Sequence, residues 1–219
     1  MKNLITFLKK PLTVQYLQSC SLLIYLSILL FQFQADRVWS QYPFCLGLAL
    51  GLDTLLYRYF HKQWRIPVTA VVAGTACFIL MSSRFALYPY LIAVTVAISS
   101  KFLIKVKDGH VFNPGNFGVL VALITMPDIA GFSAGQWIGS YNYMAVIIIL
   151  GLFVSGLAGK TVVALSYLFS FIIMRTIFSW SSGISINFLL GPLVGYASFL
   201  FTFHMITDPK TSPKSKSGQ

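Results

Sequence analysis

Long apolar runs follow one another along nearly the whole chain, separated by short polar stretches. The runs at about 20–33, 43–57, 66–82, 86–104, 113–126, 143–157, 162–178 and 186–206 predict eight helices of membrane-crossing character. The interruptions are as informative as the runs. In Asp108-Gly109-His110-Val111-Phe112-Asn113-Pro114-Gly115-Asn116-Phe117-Gly118, polar and helix-breaking residues lie directly against the apolar segment Val119 to Met126. Asn113 before Pro114 reads as an N-cap followed by proline at the first helical position, which predicts a helix running to about Met126. At 1.5 Å per residue it reaches only about 20 Å, short of a hydrocarbon core of roughly 30 Å. The sequence therefore predicts a broken helix whose N-terminus lies part-way into a bilayer or near its inner face.

Composition turns this pattern into a fold class. Of 219 residues, 57% are hydrophobic and 10% charged, with a mean hydropathy of +0.77, outside the range of soluble globular domains. The expectation is an all-α polytopic membrane protein of about eight transmembrane helices. A single integral membrane domain is expected over 1–208, followed by a basic, disordered cytoplasmic tail over 209–219. No separate soluble catalytic module fits beside these segments. The first run lacks a small-residue cleavage pattern and reads as a retained span.

The net charge of +11 raises the question of nucleic acid, but the basic residues form short clusters between apolar runs, which marks topology and excludes a nucleic-acid partner. Counted on the eight-span topology, Lys2, Lys9, Lys10, Arg58, Lys62, Arg65, Lys101, Lys105, Lys107, Lys160, Lys210, Lys214 and Lys216 fall inside, against Arg37, Arg84 and Arg175 outside. That bias places the chain in the cell (inner) membrane with both termini cytoplasmic and the lipid bilayer as its first partner.

Two stretches carry candidate chemistry. A helix start exposes unpaired N–H groups and a partial positive charge, so the amides of Gly115, Asn116 and Phe117 suit an anion or a ring carbonyl. Gly115 and Gly118 would allow close approach. The competing account is a kinked helix whose asparagines tie neighbouring helices together. The second stretch is His204-Met205-Ile206-Thr207-Asp208-Pro209-Lys210-Thr211-Ser212. Asp208 before Pro209 is biased out of helix, so the last span should stop near Thr207, with Asp208 free to cap a following turn. A helix stop explains Asp208-Pro209 but not His204 one turn deeper. A loose echo between 112–128 and 188–209 suggests an inverted repeat with a site between its halves.

Asp53 and Lys101 are ionisable groups inside apolar runs and are further candidates. For Asp53 the simpler account is pairing with a nearby cation such as Arg58. Gly47 and Gly51, like Gly191 and Gly195, have GxxxG spacing, which predicts close helix packing. Cys20, Cys45 and Cys77 stand singly in apolar runs and read as buried cysteines without zinc-ligand spacing. Ala158-Gly159-Lys160-Thr161 has the end of a phosphate-loop pattern but Val154 where its first glycine belongs, so no nucleotide role is assigned. With five aspartates and no glutamate, no catalytic residue and no metal site are expected.

At Asn113-Pro114 and Thr207-Asp208-Pro209 the sequence resembles the membrane subunits RnfD and NqrB of the Rnf and sodium-pumping NADH:quinone oxidoreductase complexes. The resemblance implies a flavin-binding electron carrier that works with other redox subunits and is coupled to ion movement. It makes His110, Asn113, Pro114, Gly115, Asn116 and Gly118, together with His204, Thr207 and Asp208, the candidate cofactor pocket. Those relatives attach FMN through a threonine in a Ser-Gly-Ala-Thr motif, and this chain has none: Ser133-Ala134-Gly135-Gln136 lacks the threonine and Ser155-Gly156 continues into Leu157-Ala158. The implied cofactor is therefore FMN or riboflavin held non-covalently. The alternative function is a small-molecule or ion transporter with a broken-helix site and no flavin.

Overall fold

Helices form near the places the hydropathy indicates, but those in the runs 66–82, 86–104 and 113–126 are shorter than the runs, and the run 186–206 is divided. The computed structural model describes residues 11–28, 40–106, 109–132, 141–194, 196–208 and 211–212. Its helices are α1 (Pro11–Ser27), α2 (Gln41–His61), α3 (Val68–Leu80), α4 (Tyr88–Leu103), α5 (Pro114–Thr125), α6 (Tyr141–Leu157), α7 (Thr161–Ser182), α8 (Ile186–Val194) and α9 (Tyr196–Leu200), with a π-helical turn at Phe201–Met205. Four short strands accompany them: β1 (Met81–Ser82), β2 (Lys105–Val106), β3 (Gly109–His110) and β4 (Gly131–Phe132).

The eight membrane-crossing helices expected from the sequence are not supported. Among the described residues only α7, with 22 residues, is both long and apolar enough to cross a membrane. Helices α3, α4, α5 and α6 have 13, 16, 12 and 17 residues, about 18–26 Å at 1.5 Å per residue. The run 66–82 is cut short because Met81 and Ser82 leave the helix to pair, antiparallel, with Phe132 and Gly131. The run 186–206 is divided into α8, α9 and the π turn.

By its contacts the chain divides into two compact units, one of residues 15–133 and one of residues 1–14 with 134–219. In the first, α2 to α5 run alternately up and down. At one end lie the start of α2, the end of α3 and the start of α4: Gln41 Nε2 donates to the Arg84 carbonyl at 2.8 Å, and the Tyr90 hydroxyl to the Met81 carbonyl at 2.9 Å. The β1–β4 bridge returns the chain after α5 to this end. Small residues set the spacing. A Cβ added at Gly74 would lie 3.0 Å from Ala49 Cβ, and one at Gly118 only 2.0 Å from the Ala93 carbonyl oxygen. A Cβ at Gly47, Gly51 or Gly191, by contrast, would meet nothing within 4 Å. The close packing expected of the GxxxG pairs is thus carried by other glycines; Gly195 lies outside the described residues.

In the second unit α6 and α7 form a hairpin. Gly159 takes φ +68, and the Lys160 amide donates back to the Ser155 carbonyl at 2.8 Å, so Ala158-Gly159-Lys160-Thr161 is a helix-ending turn. Gly183, at φ +69, closes α7 in the same way, its amide donating to the Ser179 carbonyl at 3.0 Å. The π turn packs on α6 where Gly151 makes room for Phe203, and its Phe201 ring lies 5.4 Å from that of Tyr167 on α7. Along α7, Phe169, Met174, Ile177 and Trp180 are exposed.

Candidate functional site

The helix start at Asn113 forms where the sequence predicts it, and three local devices fix it. Asn113 adopts extended backbone and its Oδ1 accepts from the Asn116 amide at 3.2 Å. Pro114 occupies the first turn, where its missing N–H costs nothing. Phe112 stacks on Phe117 at 4.8 Å with planes 7° apart, the hydrophobic staple across a helix entry. Before this, His110 pairs in register with Lys105 in the β2–β3 hairpin; Lys107 and Asp108 lie outside the described residues. Gly115 abuts Ala73 and Ala76 of α3, and Gly118 abuts Ala93 and Ala97 of α4. Helix α5 therefore begins alongside the middle of its two neighbours.

Two of its three candidate amides, however, are engaged. The Asn116 amide is taken by the Asn113 side chain, and the Phe117 amide donates to the Asn113 carbonyl at 3.0 Å. The space in front of Gly115 is filled by Ala76 Cβ at 3.0 Å from an added Cβ, and that in front of Gly118 by α4 itself. Both glycines serve helix packing rather than ligand approach. Two of the three amides proposed for a ligand are thus paired within the helix start, and the Asn113 side chain caps its own helix rather than tying neighbouring helices together.

The second motif follows the π turn. His204 and Thr207 are buried; the Thr207 hydroxyl donates to the Phe203 carbonyl at 2.6 Å and the Ser212 hydroxyl to the Ile206 carbonyl. Asp208 caps the next turn through its main chain, its carbonyl accepting from the Thr211 amide at 3.1 Å and the Ser212 amide at 2.9 Å. A π turn widens the helix by one residue, a feature found often at functional positions. Asn113 belongs to the first unit and His204, Thr207 and Asp208 to the second; Pro209 and Lys210 lie outside the described residues.

A third constellation brings together the two remaining candidates. Asp53 is 0% exposed and Lys101 5%, and Lys101 Nζ lies 2.5 Å from Asp53 Oδ1. Arg65 Nη2 reaches Asp53 Oδ2 at 3.1 Å from a side chain 34% exposed, and Lys101 also donates to the Thr69 hydroxyl at 2.9 Å. The Arg65 guanidinium lies 4.0 Å above the Tyr57 ring. The sequence-based partner Arg58 is corrected: it donates to the Lys62 carbonyl and lies 5.6 Å from the Trp64 ring centroid. Helices α2 and α4 bring their C-terminal parts to this end of the unit, and α3 its first turn. Arg65, Thr69 and Tyr57 were missed by sequence reasoning; the available signal was that Asp53 is the one carboxylate from 40 to 106, a stretch rich in cations.

Of the cysteines, Cys45 and Cys77 are buried as expected, whereas Cys20 is exposed. Among the described residues no group of three His, Cys, Asp or Glu side chains is arranged to hold a metal. No family model, curated protein or solved structure matches the chain.

Proposed function

We propose that this chain is an integral membrane protein acting as an electron-transport subunit of the RnfD/NqrB kind, with non-covalent flavin and with other redox subunits as partners. What supports the reading is that both motifs carrying the resemblance fall at helix irregularities. Asn113-Pro114 opens a helix alongside the middle of its neighbours, and Thr207-Asp208 follows a π turn. Backbone of this kind inside apolar surroundings is costly and is kept where it is buried in protein or lines a polar site. Because the Asn116 and Phe117 amides are already paired within the helix start, the His204 to Asp208 segment is proposed as the better candidate for the flavin. The membrane placement is supported by α7, about 33 Å long at 1.5 Å per residue, with its apolar side chains outward.

The experiment is a visible spectrum of the detergent-purified chain followed by acid precipitation. Yellow flavin released to the supernatant and lost in a His204→Leu variant is the expected result. Flavin retained on the pellet would overturn the non-covalent assignment. A protein still colourless after addition of FMN or riboflavin would sink the flavin reading.

A second reading, an ion or small-molecule transporter, is favoured by the Asp53–Lys101–Arg65 cluster. Buried ionisable groups in membrane helices commonly mark ion or substrate paths. Uptake into vesicles by the chain alone, without chromophore, would establish it.

A further inference from the structure

The end of the first unit that holds Asp53 places four cations on aromatic rings. Besides Arg58 over Trp64 and Arg65 over Tyr57, Lys62 Nζ lies 5.2 Å from the Tyr59 ring centroid and Lys105 Nζ 5.3 Å from that of Phe102. Phe60 stacks on Phe102 at 5.8 Å and 10°, joining the ends of α2 and α4. Helix C-termini carry partial negative charge and favour cations nearby, but that charge is fractional. Among the described residues at this end, five cations (Arg58, Lys62, Arg65, Lys101 and Lys105) face one carboxylate, and Asp53 is already held by Lys101 and Arg65. The surface between them is apolar: Tyr59, Trp64, Ile66, Leu103 and Val106 are all exposed.

Cations on rings with no carboxylate partner among the described residues, set among exposed aliphatic and indole side chains, match the boundary between headgroups and acyl chains, where phosphate meets the charges and the rings occupy the interface. An acidic soluble partner would answer the charge and leave the apolar residues unexplained. We propose that this end of the unit, the α2–α3 connection with the end of α4, is a binding site for the headgroup of an anionic phospholipid. In it Arg65, one-third exposed and joined inward to Asp53, links the lipid phosphate to the buried Asp53–Lys101 pair. The inference rests on the membrane placement proposed above, not on the flavin.

The test uses the full chain in nanodiscs of phosphatidylcholine alone or doped with phosphatidylglycerol, read by thermal unfolding and by lipid retained in native mass spectrometry. Phosphatidylglycerol is expected to raise the unfolding midpoint and to remain bound. The exposed-residue variant Arg58→Gln/Lys62→Gln/Lys105→Gln should lose about tenfold or more of that retention while unfolding like the parent in phosphatidylcholine. Inorganic phosphate should not reproduce the shift. An equal shift with inorganic phosphate would overturn the lipid assignment in favour of a free-anion site. Equal stabilisation by both lipids, or undiminished retention in the variant, would overturn the site altogether. Release of the chain from native membranes by an alkaline wash without detergent would instead remove the membrane placement, which separates the two failures.

Discussion

Asp53 and Lys101, 48 residues apart in sequence, close a buried ion pair between α2 and α4, with Lys101 Nζ 2.5 Å from Asp53 Oδ1. Neither group keeps more than a trace of solvent contact, so each depends on the other for the solvation it has lost. Arg65 and Thr69 complete the arrangement from the following loop and helix, which makes this one contact a clasp for three helices of the first unit.

Removing one partner should therefore cost far more than removing both. Asp53→Asn leaves Lys101 buried opposite a neutral amide and is expected to destabilise the unit by about 3–5 kcal/mol. Combining it with Lys101→Met should recover much of that loss, because the double variant buries no uncompensated charge. Thermal unfolding of the three variants in one detergent checks this. Additive losses in the double variant would show that the pair is not coupled.

A comparison of glycines separates packing from spacing. Gly118→Ala puts a methyl 2.0 Å from the Ala93 carbonyl oxygen, a backbone atom that no rotamer change can move. It should cost about 1–3 kcal/mol or more as α5 is pushed off α4. Gly51→Ala meets nothing within 4 Å in a helix interior, where alanine is favoured by roughly 1 kcal/mol, so it should be neutral or stabilising. The unfolding midpoints of the two variants should move in opposite directions. A loss at Gly51 as large as at Gly118 would restore a packing role to the Gly47–Gly51 face.

The sequence carried local signals well and long-range ones poorly. Asn113 and Pro114 are adjacent, and the start of α5 was legible from them alone; the Phe112–Phe117 staple across the same entry was equally local but went unread. The runs from 43 to 178 each hold one helix among the described residues. What hydropathy could not show was where a helix would stop for a tertiary reason: Met81 leaves α3 to pair with Phe132, 51 residues later. The same limit explains the site. Gly115 and Gly118 read as open for a ligand because nothing in the local sequence says that Ala76 and Ala93 will fill the space. Asp53 was assigned to Arg58 for nearness in sequence, while its partners come from the next loop and from α4.

The cap at Asn113 can be tested without any ligand. Asn113→Ala removes the acceptor for the Asn116 amide and should cost about 1 kcal/mol, whereas Asn113→Asp keeps an acceptor and a favourable charge at the helix N-terminus and should cost little. Hydrogen exchange at the Asn116 amide is the direct readout, with faster exchange expected for alanine only. Equal protection in all three proteins would mean that the Asn113 side chain does not hold this turn.

The π turn offers the most demanding test in the second unit. Gly151 of α6 faces Phe203, and an added Cβ would lie 2.5 Å from Phe203 Cβ and 2.8 Å from its Cγ. Those atoms are close to the backbone, so rotating the ring cannot relieve the clash; the helices must separate. Gly151→Ala is therefore expected to lower stability by about 1–3 kcal/mol. Phe203→Ala in the same chain should give only partial relief, because it removes Cγ and leaves Cβ in place. Were Gly151→Ala tolerated without loss, the π turn would not be seated on α6, and the burial of His204 beside it would need another explanation. If both variants behave as expected, His204 is held by helix packing in a fixed position, the condition under which a His204→Leu change tests ligand binding rather than folding.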